Sequence, residues 1–490
     1  MRQKIKYLFL ALPVLMVGIL SCKKWDDHNQ LINPNSDKTL YQEISSRPNL
    51  GKFAEYLVKT GLDKVLGSSK NYTVWAPVDD ALKTLDPAIV ADTAKLKFFL
   101  SNHIATNAYF TSAASTPIQV PVLNGKRVAF SATKFDEAPI TEANVSVQNG
   151  VLHVINNVVP PLQNLWEFIN ASSSQYAQNA FIVSQNFNAF DPTLATVDSI
   201  SGSTGLPIYH PGTGLVARNR FVDQVYDLKN EGKQYTYFLL NDAALKKETD
   251  SLLSFYKTGT ADSTYNLAAM RVVRDAVIEG YYTIDQLPAM LTSKFGVTIP
   301  IDKSAIVETK KVSNGIVYVV NKLDFLTAQK IQTLMVQGEN PRGFFRPTGE
   351  AVTPTQNSTS AIFFRSRINP LTGLQFTDMF AYGHGIASLA AQYTAFNVPA
   401  AKYKVYWLAV NDTLQVNGTK TPVVFSQRLA MGSQASTTFP YVSVALNNYN
   451  EIYLGEFTQP AYGNLDMYLI ANTTGTFSLT LDYIRLEPQF

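Results

Sequence analysis

The chain has a single cysteine, Cys22, in 490 residues. Disulfides need pairs, so stability must come from a buried core rather than from covalent staples. Histidine is scarce too: His28, His103, His153, His210 and His384 are all there are. No two sit at an i, i+4 spacing, so no zinc site is signalled and no metal is expected. Charged residues make up only 16% of the chain, with 41 basic against 38 acidic. Setting aside Arg2, Lys4 and Lys6 at the extreme N-terminus leaves 38 of each sign, which excludes the basic excess of a nucleic-acid binder. There is no Gly-x-Ser-x-Gly elbow, no phosphate-binding Walker loop and no kinase signature. Asp79 and Asp80 are adjacent, and neighbours in sequence rarely converge on one point, so helix capping explains them better than acid–base work. Gly383-His384-Gly385 is read as a turn with an incidental histidine. No catalytic residue and no cofactor is expected, and the reading is of a non-enzyme.

What the chain does have begins at the N-terminus. Arg2, Lys4 and Lys6 precede an uncharged apolar run from Tyr7 to Leu20, closed by Ser21-Cys22. The run is shorter than the roughly 20 residues needed to cross a bilayer, and its layout is that of a signal peptide. Ile19-Leu20-Ser21-Cys22 resembles the bacterial lipobox, in which the cysteine is acylated and becomes the first mature residue. Residues 1–21 are therefore expected to be a lipoprotein signal peptide, with Cys22 the lipid anchor and 22–38 a flexible polar tether. Lys23-Lys24-Trp25-Asp26-Asp27 resembles the signal that sends Bacteroidetes lipoproteins to the outer face of the outer membrane.

Two motifs recur at nearly one offset. Tyr72-Thr-Val-Trp-Ala-Pro-Val-Asp-Asp-Ala-Leu82 aligns with Tyr235-Thr-Tyr-Phe-Leu-Leu-Asn-Asp-Ala-Ala-Leu245, 163 residues on. Asn149-Gly-Val-Leu-His-Val-Ile-Asn-Asn-Val158 aligns with Asn314-Gly-Ile-Val-Tyr-Val-Val-Asn-Lys-Leu323, 165 residues on. Such a period exceeds any solenoid unit and implies tandem domains. Within each copy, the β-branched and aromatic run Tyr72 to Ala76 predicts a buried strand, stopped by Pro77. Asp79 or Asp80 is expected to cap the helix that Ala81-Leu82 begins. Asn149-Gly150 has tight-turn chemistry, and the apolar strand after it is expected to be buried on both faces. Leu96 to Ile104 reads as a helix closed by His103, and His153 as a core or edge histidine.

On these residues the chain resembles the fasciclin domain: residues 39–168 look like one, and 169–329 like a second. The resemblance implies two α/β (α+β) domains, each a β-wedge or sandwich with helices along one side, tied to adhesion and matrix contact and without general catalytic activity. Thr73, Pro77, Asp79, His103, Asn149, Gly150 and His153 are the family-type positions, with structural roles. The second copy departs from the pattern: Leu240 replaces the proline, Tyr318 the histidine, no Asn-His pair remains, and 185–220 carries a long polar insertion. That departure implies a lost or altered binding face.

Beyond Thr327 short strand-like runs separated by turn residues predict an all-β antiparallel sandwich over 330–490. Its ending, Leu479-Thr-Leu-Asp-Tyr-Ile-Arg-Leu-Glu-Pro488, resembles the last strand of jelly-roll, galactose-binding-like carbohydrate modules. Trp407, Tyr382, Tyr449 and Tyr462 are the candidates for stacking on a sugar ring. The leading expectation is a cell-surface lipoprotein, anchored in the outer membrane and facing outward, that binds glycan or matrix ligands and serves an outer-membrane transporter complex in polysaccharide uptake. A pure adhesin binding protein or matrix partners through the fasciclin-like domains is the alternative. A glycan-active enzyme, needing two carboxylates across a cleft, is a second.

Overall fold

The computed structural model describes residues 37–352 and 361–490, apart from 383, 413, 414, 417, 418, 421, 422, 475 and 477. Cys22, His28, Gly383 and most of the expected tether lie outside the described residues. The chain divides into two compact units. One is Met1–Phe168 with Leu228–Gln234 and Lys311–Gly315; the other is Ile169–Asp227, Tyr235–Lys310 and Ile316–Phe490.

In the first unit three helices open the fold: α1 (Leu40–Ser45), α2 (Gly51–Thr60) and α3 (Leu62–Leu66). Thr39 starts α1 through a capping box with Gln42. Strand β1 (Tyr72–Pro77) follows, then helices α4 (Asp79–Leu82), α5 (Pro87–Ala91) and α6 (Thr93–Ser101). The chain continues through β2 (Ile104–Ala105), β3 (Ile118–Pro121), β4 (Arg127–Phe130), β5 (Lys134–Phe135), β6 (Ala138–Val147) and β7 (Gly150–Ile155). These strands form one seven-stranded sheet in the order β2-β1-β7-β6-β5-β4-β3. Only β1 and β7 run parallel, with Tyr72 opposite Gly150 and Pro77 opposite Ile155. As the apolar runs predict, β1 is buried throughout and β7 from Val151 on. Period-2 alternation splits their side chains between two layers. Val74, Ala76, Leu152 and Val154 pack with the helices, while Trp75 and Ile155 pack on the other side with Phe130 and Phe135.

The helix read over Leu96 to Ile104 instead ends at Ser101, because Ile104 and Ala105 leave it to pair with Val74 and Thr73 of β1. The capping expectation for Asp79 is also corrected. α4 begins at Asp79 itself, with no side-chain cap, and the Asp79 carboxylate accepts from Lys52 N at 2.8 Å, in the first turn of α2. It caps a different helix from the one its sequence position suggests.

At the β6–β7 turn, Asn149 ties three segments together. Its Oδ1 accepts from Leu40 N at 2.7 Å, and its Nδ2 donates to Leu66 O at 2.8 Å and Ser68 O at 2.6 Å. Gly150 then passes so close to β1 that a Cβ there would lie 1.9 Å from Tyr72 O, at φ +152°. No other residue type fits that register.

The second copy of the motifs repeats these bonds one by one. Asn314 Oδ1 accepts from Leu165 N at 2.8 Å, and its Nδ2 donates to Leu228 O at 3.0 Å. In the second unit, Asp242 accepts from Ala177 N at 2.9 Å, in the first turn of the helix Ala177–Ser184. Thr236 Oγ1 donates to Gly280 O and accepts from Tyr282 N, as Thr73 Oγ1 donates to Asn107 O and accepts from Tyr109 N. Residues 186–219, the polar insertion, form two hairpins: Asn186–Phe190 pairs with Leu215–Asn219, and Val197–Ile200 with Pro207–Tyr209.

Also in the second unit, residues from Leu334 onward build three larger antiparallel sheets and a two-stranded pair, Gln415–Val416 with Thr419–Lys420. The first orders Leu334–Gln337, Tyr483–Gln489, Lys402–Leu408 and Ile452–Thr458; a six-stranded sheet centres on Ala390–Val398 and Gly463–Ala471; a three-stranded one joins Ala361–Ile368, Gln375–Tyr382 and Leu479–Leu481. One apolar cluster draws on all three, including Tyr393, Tyr403, Trp407, Met467, Leu481 and Ile484. The single last strand read from sequence is in fact two, which part at Asp482 and join different sheets. There Asp482 N donates to Leu408 O, while Asp482 O accepts from Gly338 N.

Candidate functional site

The two buried histidines of the first unit are structural. His103 is fully buried; its Nδ1 donates to Phe99 O at 3.1 Å and its Nε2 accepts from Val159 N at 3.2 Å. Burial holds its imidazole down to about 4, neutral at any physiological pH. His153 uses the opposite tautomer: Nε2 donates to Tyr109 O at 2.9 Å and Nδ1 accepts from Asn144 N at 3.3 Å. Burial lowers its pKa as well. Each ring has spent both nitrogens, which leaves neither free for proton transfer. Asp79 and Asp80 are also engaged apart, Asp79 on Lys52 N and Asp80 on Lys83 Nζ at 2.6 Å.

Tyr318, which stands where the first copy has His153, donates from its hydroxyl to Tyr282 O at 2.8 Å, as His153 does to Tyr109 O. The substitution preserves the structural bond rather than removing a site. His384 Nδ1 accepts from Ile386 N at 3.1 Å, and the exposed His210 faces Asp198 at 3.2 Å. Among the described residues, no three His, Cys, Asp or Glu side chains converge as metal ligands would.

The aromatic candidates separate cleanly. Trp407 is 1% exposed and sits in the apolar core between Ile452 and Ile484. It is therefore removed as a ligand platform, since no ring face reaches solvent. Its strand, Lys402–Leu408, turns Tyr403, Val405 and Trp407 inward and Lys402, Lys404 and Tyr406 outward. The aromatic this strand offers is Tyr406, under Arg485 at 4.0 Å and beside Tyr453 at 5.2 Å. Sequence reasoning missed that pair, although the two lysines in register with Tyr406 mark the outer face.

Tyr382 and Tyr449 belong to one site. On one face of the hairpin Ala361–Ile368 and Gln375–Tyr382, Phe363 opposes Phe380, Arg365 opposes Asp378, and Arg367 opposes Phe376. The fully buried Asp378 carboxylate accepts from both guanidiniums, Arg365 Nε at 2.9 Å and Arg367 Nη2. Arg367 Nη1 donates to Asp412, and the Tyr449 hydroxyl reaches the same carboxylate at 3.4 Å. Arg365 lies over the Phe380 ring at 4.5 Å, Arg367 over Phe376 at 5.0 Å, and Tyr382 stacks on Phe380 with planes 14° apart. Phe363, at the open end, is 45% exposed. Beside Asp378, burial and the neighbouring carboxylates of Asp378 and Glu339 push Asp482 up to about 7. Arg365 Nη1 and Asp412 Oδ1, both buried, form an ion pair at 3.6 Å, and Arg367 Nε is buried without a hydrogen-bond partner. Aromatic planes beside charged side chains are the kind of surface that suits a polyhydroxylated ligand. Tyr462, the fourth aromatic, lies elsewhere, in the wall of a cavity lined also by Arg271 and Arg274.

Compared with known proteins, residues 48–161 match the fasciclin domain family. This segment is a fasciclin domain. It contains the Asp79 cap, the buried His103 and the Asn149-Gly150 turn described above. A stretch of 112 residues is 25% identical to the transforming growth factor-beta-induced protein ig-h3 of Sus scrofa, covering 21% of this chain. The chain spans 16% of that relative's length. Among solved structures, a fasciclin domain pair from the insect cell adhesion molecule Fasciclin I overlaps 56% of this chain and 96% of its own, at 17% identity and a TM-score of 0.22. A family 35 carbohydrate binding module from Clostridium thermocellum overlaps 32% of this chain and 99% of its own, at 12% identity and a TM-score of 0.21. Both overlaps are weak, and neither bears on the ligand.

Proposed function

We propose that this chain is a cell-surface adhesion protein, held to the outer membrane by a lipid on Cys22 and contacting protein or matrix partners through its fasciclin domain. The observation that carries this reading is the fasciclin domain at 48–161, a family associated with adhesion and matrix contact. The bonds that Asn314, Asp242, Thr236 and Tyr318 repeat support a second fasciclin-like domain over 169–329. The three sheets around one core support a β-sandwich over 330–490. The mechanism is binding, not catalysis: the conserved-type histidines and Asp79 are consumed by the fold.

A second reading, glycan contact by the C-terminal sandwich, is favoured by the face of Phe363, Arg365, Arg367 and Tyr382. That part would then serve a transporter complex as a glycan-capturing arm. Solid-phase binding separates the readings, using the chain with Cys22→Ser on immobilised matrix proteins and on polysaccharide gels. Adhesion predicts saturable capture by a protein surface that survives Phe363→Ala with Tyr382→Ala. Glycan contact predicts gel retardation that the same double substitution abolishes. A chain inert on both surfaces would sink both readings.

A further inference from the structure

A cavity of about 290 Å³ lies in the second unit. One wall is a single helix face: Leu267, Met270, Arg271 and Arg274 follow the i, i+3, i+4, i+7 spacing along and just beyond the helix Ala261–Val273. Opposite stand Phe295, Asn397 and Tyr462. The fold holds this wall firmly. Tyr462 N donates to Lys257 O at 2.8 Å, and Ala400 N to Phe255 O at 2.7 Å. Asn397 takes a left-handed φ of 56° where strand Ala390–Val398 breaks register. Its Oδ1 accepts from the Tyr462 hydroxyl at 3.1 Å, and that hydroxyl accepts from Arg271 Nη2 at 3.4 Å.

The charge here is unbalanced. Three cations, Arg271, Arg274 and Lys330, stand against two carboxylates, Asp275, paired with Arg274 and Lys330, and Glu248, which acts on Lys330. The Asp275 carboxylate is already committed, accepting from Ser293 Oγ at 2.7 Å and Lys330 Nζ at 2.7 Å. Arg274 Nε forms an ion pair with Asp275 Oδ2 at 3.9 Å, beyond hydrogen-bond reach, and is buried with no hydrogen-bond partner. Its guanidinium lies over the Phe295 ring at 4.1 Å. Burial first, and Arg271 second, lower its pKa, against the opposing pull of the Asp275 carboxylate. A buried guanidinium with an unused N–H is costly unless an anion completes it. Guanidinium forks match carboxylates in plane and spacing.

We propose that this cavity binds a sugar acid, one hexuronate ring whose carboxylate sits between Arg274 and Arg271. The volume falls at the lower edge of the ~300–1,000 Å³ typical of ligand pockets, room for one ring rather than a chain. Leu267, Met270 and Phe295 present an apolar wall to the C–H face of the ring. The Asn397 amide and Tyr462 hydroxyl meet its hydroxyls.

The test is calorimetric titration of the full chain carrying Cys22→Ser with galacturonate and glucuronate, beside galactose, glucose and inorganic sulfate. Saturable uronate binding is expected, weakening as salt rises, and weakened by about tenfold or more in Arg274→Gln and in Arg271→Gln. Should Arg274→Gln unfold the chain, Arg274→Lys keeps the charge, loses the fork and is expected to weaken binding similarly. The proposal is overturned if no heat is seen at about 10 mM uronate, or if neutral sugars bind equally. It also fails if sulfate alone matches the uronates, or if the folded arginine variants bind as the parent does.

Discussion

At the scale of single residues, the first unit depends on polar side chains that complete backbone bonds far from them in sequence. Asn149 is the clearest, since it satisfies Leu40 N, Leu66 O and Ser68 O from the tip of a hairpin. Asn149→Ala leaves three buried backbone groups without a partner and should cost about 2–4 kcal/mol, read as a lower urea midpoint of unfolding. An unchanged midpoint would show that water replaces the amide. His103 gives a pH prediction. Its folded pKa, about 4, lies below the ordinary 6.5, so the fold favours the neutral ring. That stability is fully present above pH 6.5 and is lost as pH falls toward 4, by about 2 kcal/mol at pH 5. His153, also lowered, adds in the same direction. Urea unfolding at pH 7.5 and pH 5 should show the loss, with a shallower decline in His103→Gln. A parallel decline in that variant would refute the assignment.

At the scale of elements, the parallel pair β1 and β7 is held in register by Gly150. Gly150→Ala drives a methyl into Tyr72 O and should cost more than about 3 kcal/mol, visible as early loss of the native tryptophan signal on denaturation. A mild effect would mean the strands can slide. Both strands were legible in the sequence, because their β-branched and aromatic runs carry their own burial signal. The tight turn at Asn149-Gly150 was legible for the same local reason. What could not be read were bonds made at a distance. Asp79 looked like the cap of the helix it precedes, but α2 lies within its reach and takes the carboxylate. The last strand divides at Asp482 because Leu408 and Gly338, far away in sequence, claim its backbone groups. Trp407 was assigned outward on residue type alone. The alternation with Lys402 and Lys404 already placed it inside and Tyr406 outside. The Arg365–Asp378–Arg367 cluster was invisible for another reason: arginine beside acid in a strand reads as solvated surface until cross-strand register brings the groups together.

At the scale of the whole molecule, the proposed reading makes the parts a surface-display device with a lipid on Cys22 as its anchor. Among the described residues, no helix is long and apolar enough to cross a membrane. The proposed reading places membrane attachment on Cys22, and a one-atom change there should separate anchorage from folding. Expressed in a lipoprotein-processing bacterium, the parent chain is expected in the detergent phase, with acyl mass on a peptide that begins at Cys22. The Cys22→Ser chain should move to the aqueous phase, because it has lost the acyl chains that supply its membrane affinity. Its thermal unfolding should be unaltered, because among the described residues these apolar clusters begin at Leu40. A parent chain that carries no acyl mass would refute the anchor. A Cys22→Ser chain that stays membrane-bound would place the attachment elsewhere, on a protein partner or on strand-borne surface. A shift in unfolding midpoint would mean that the N-terminal segment packs on the folded units instead of tethering them.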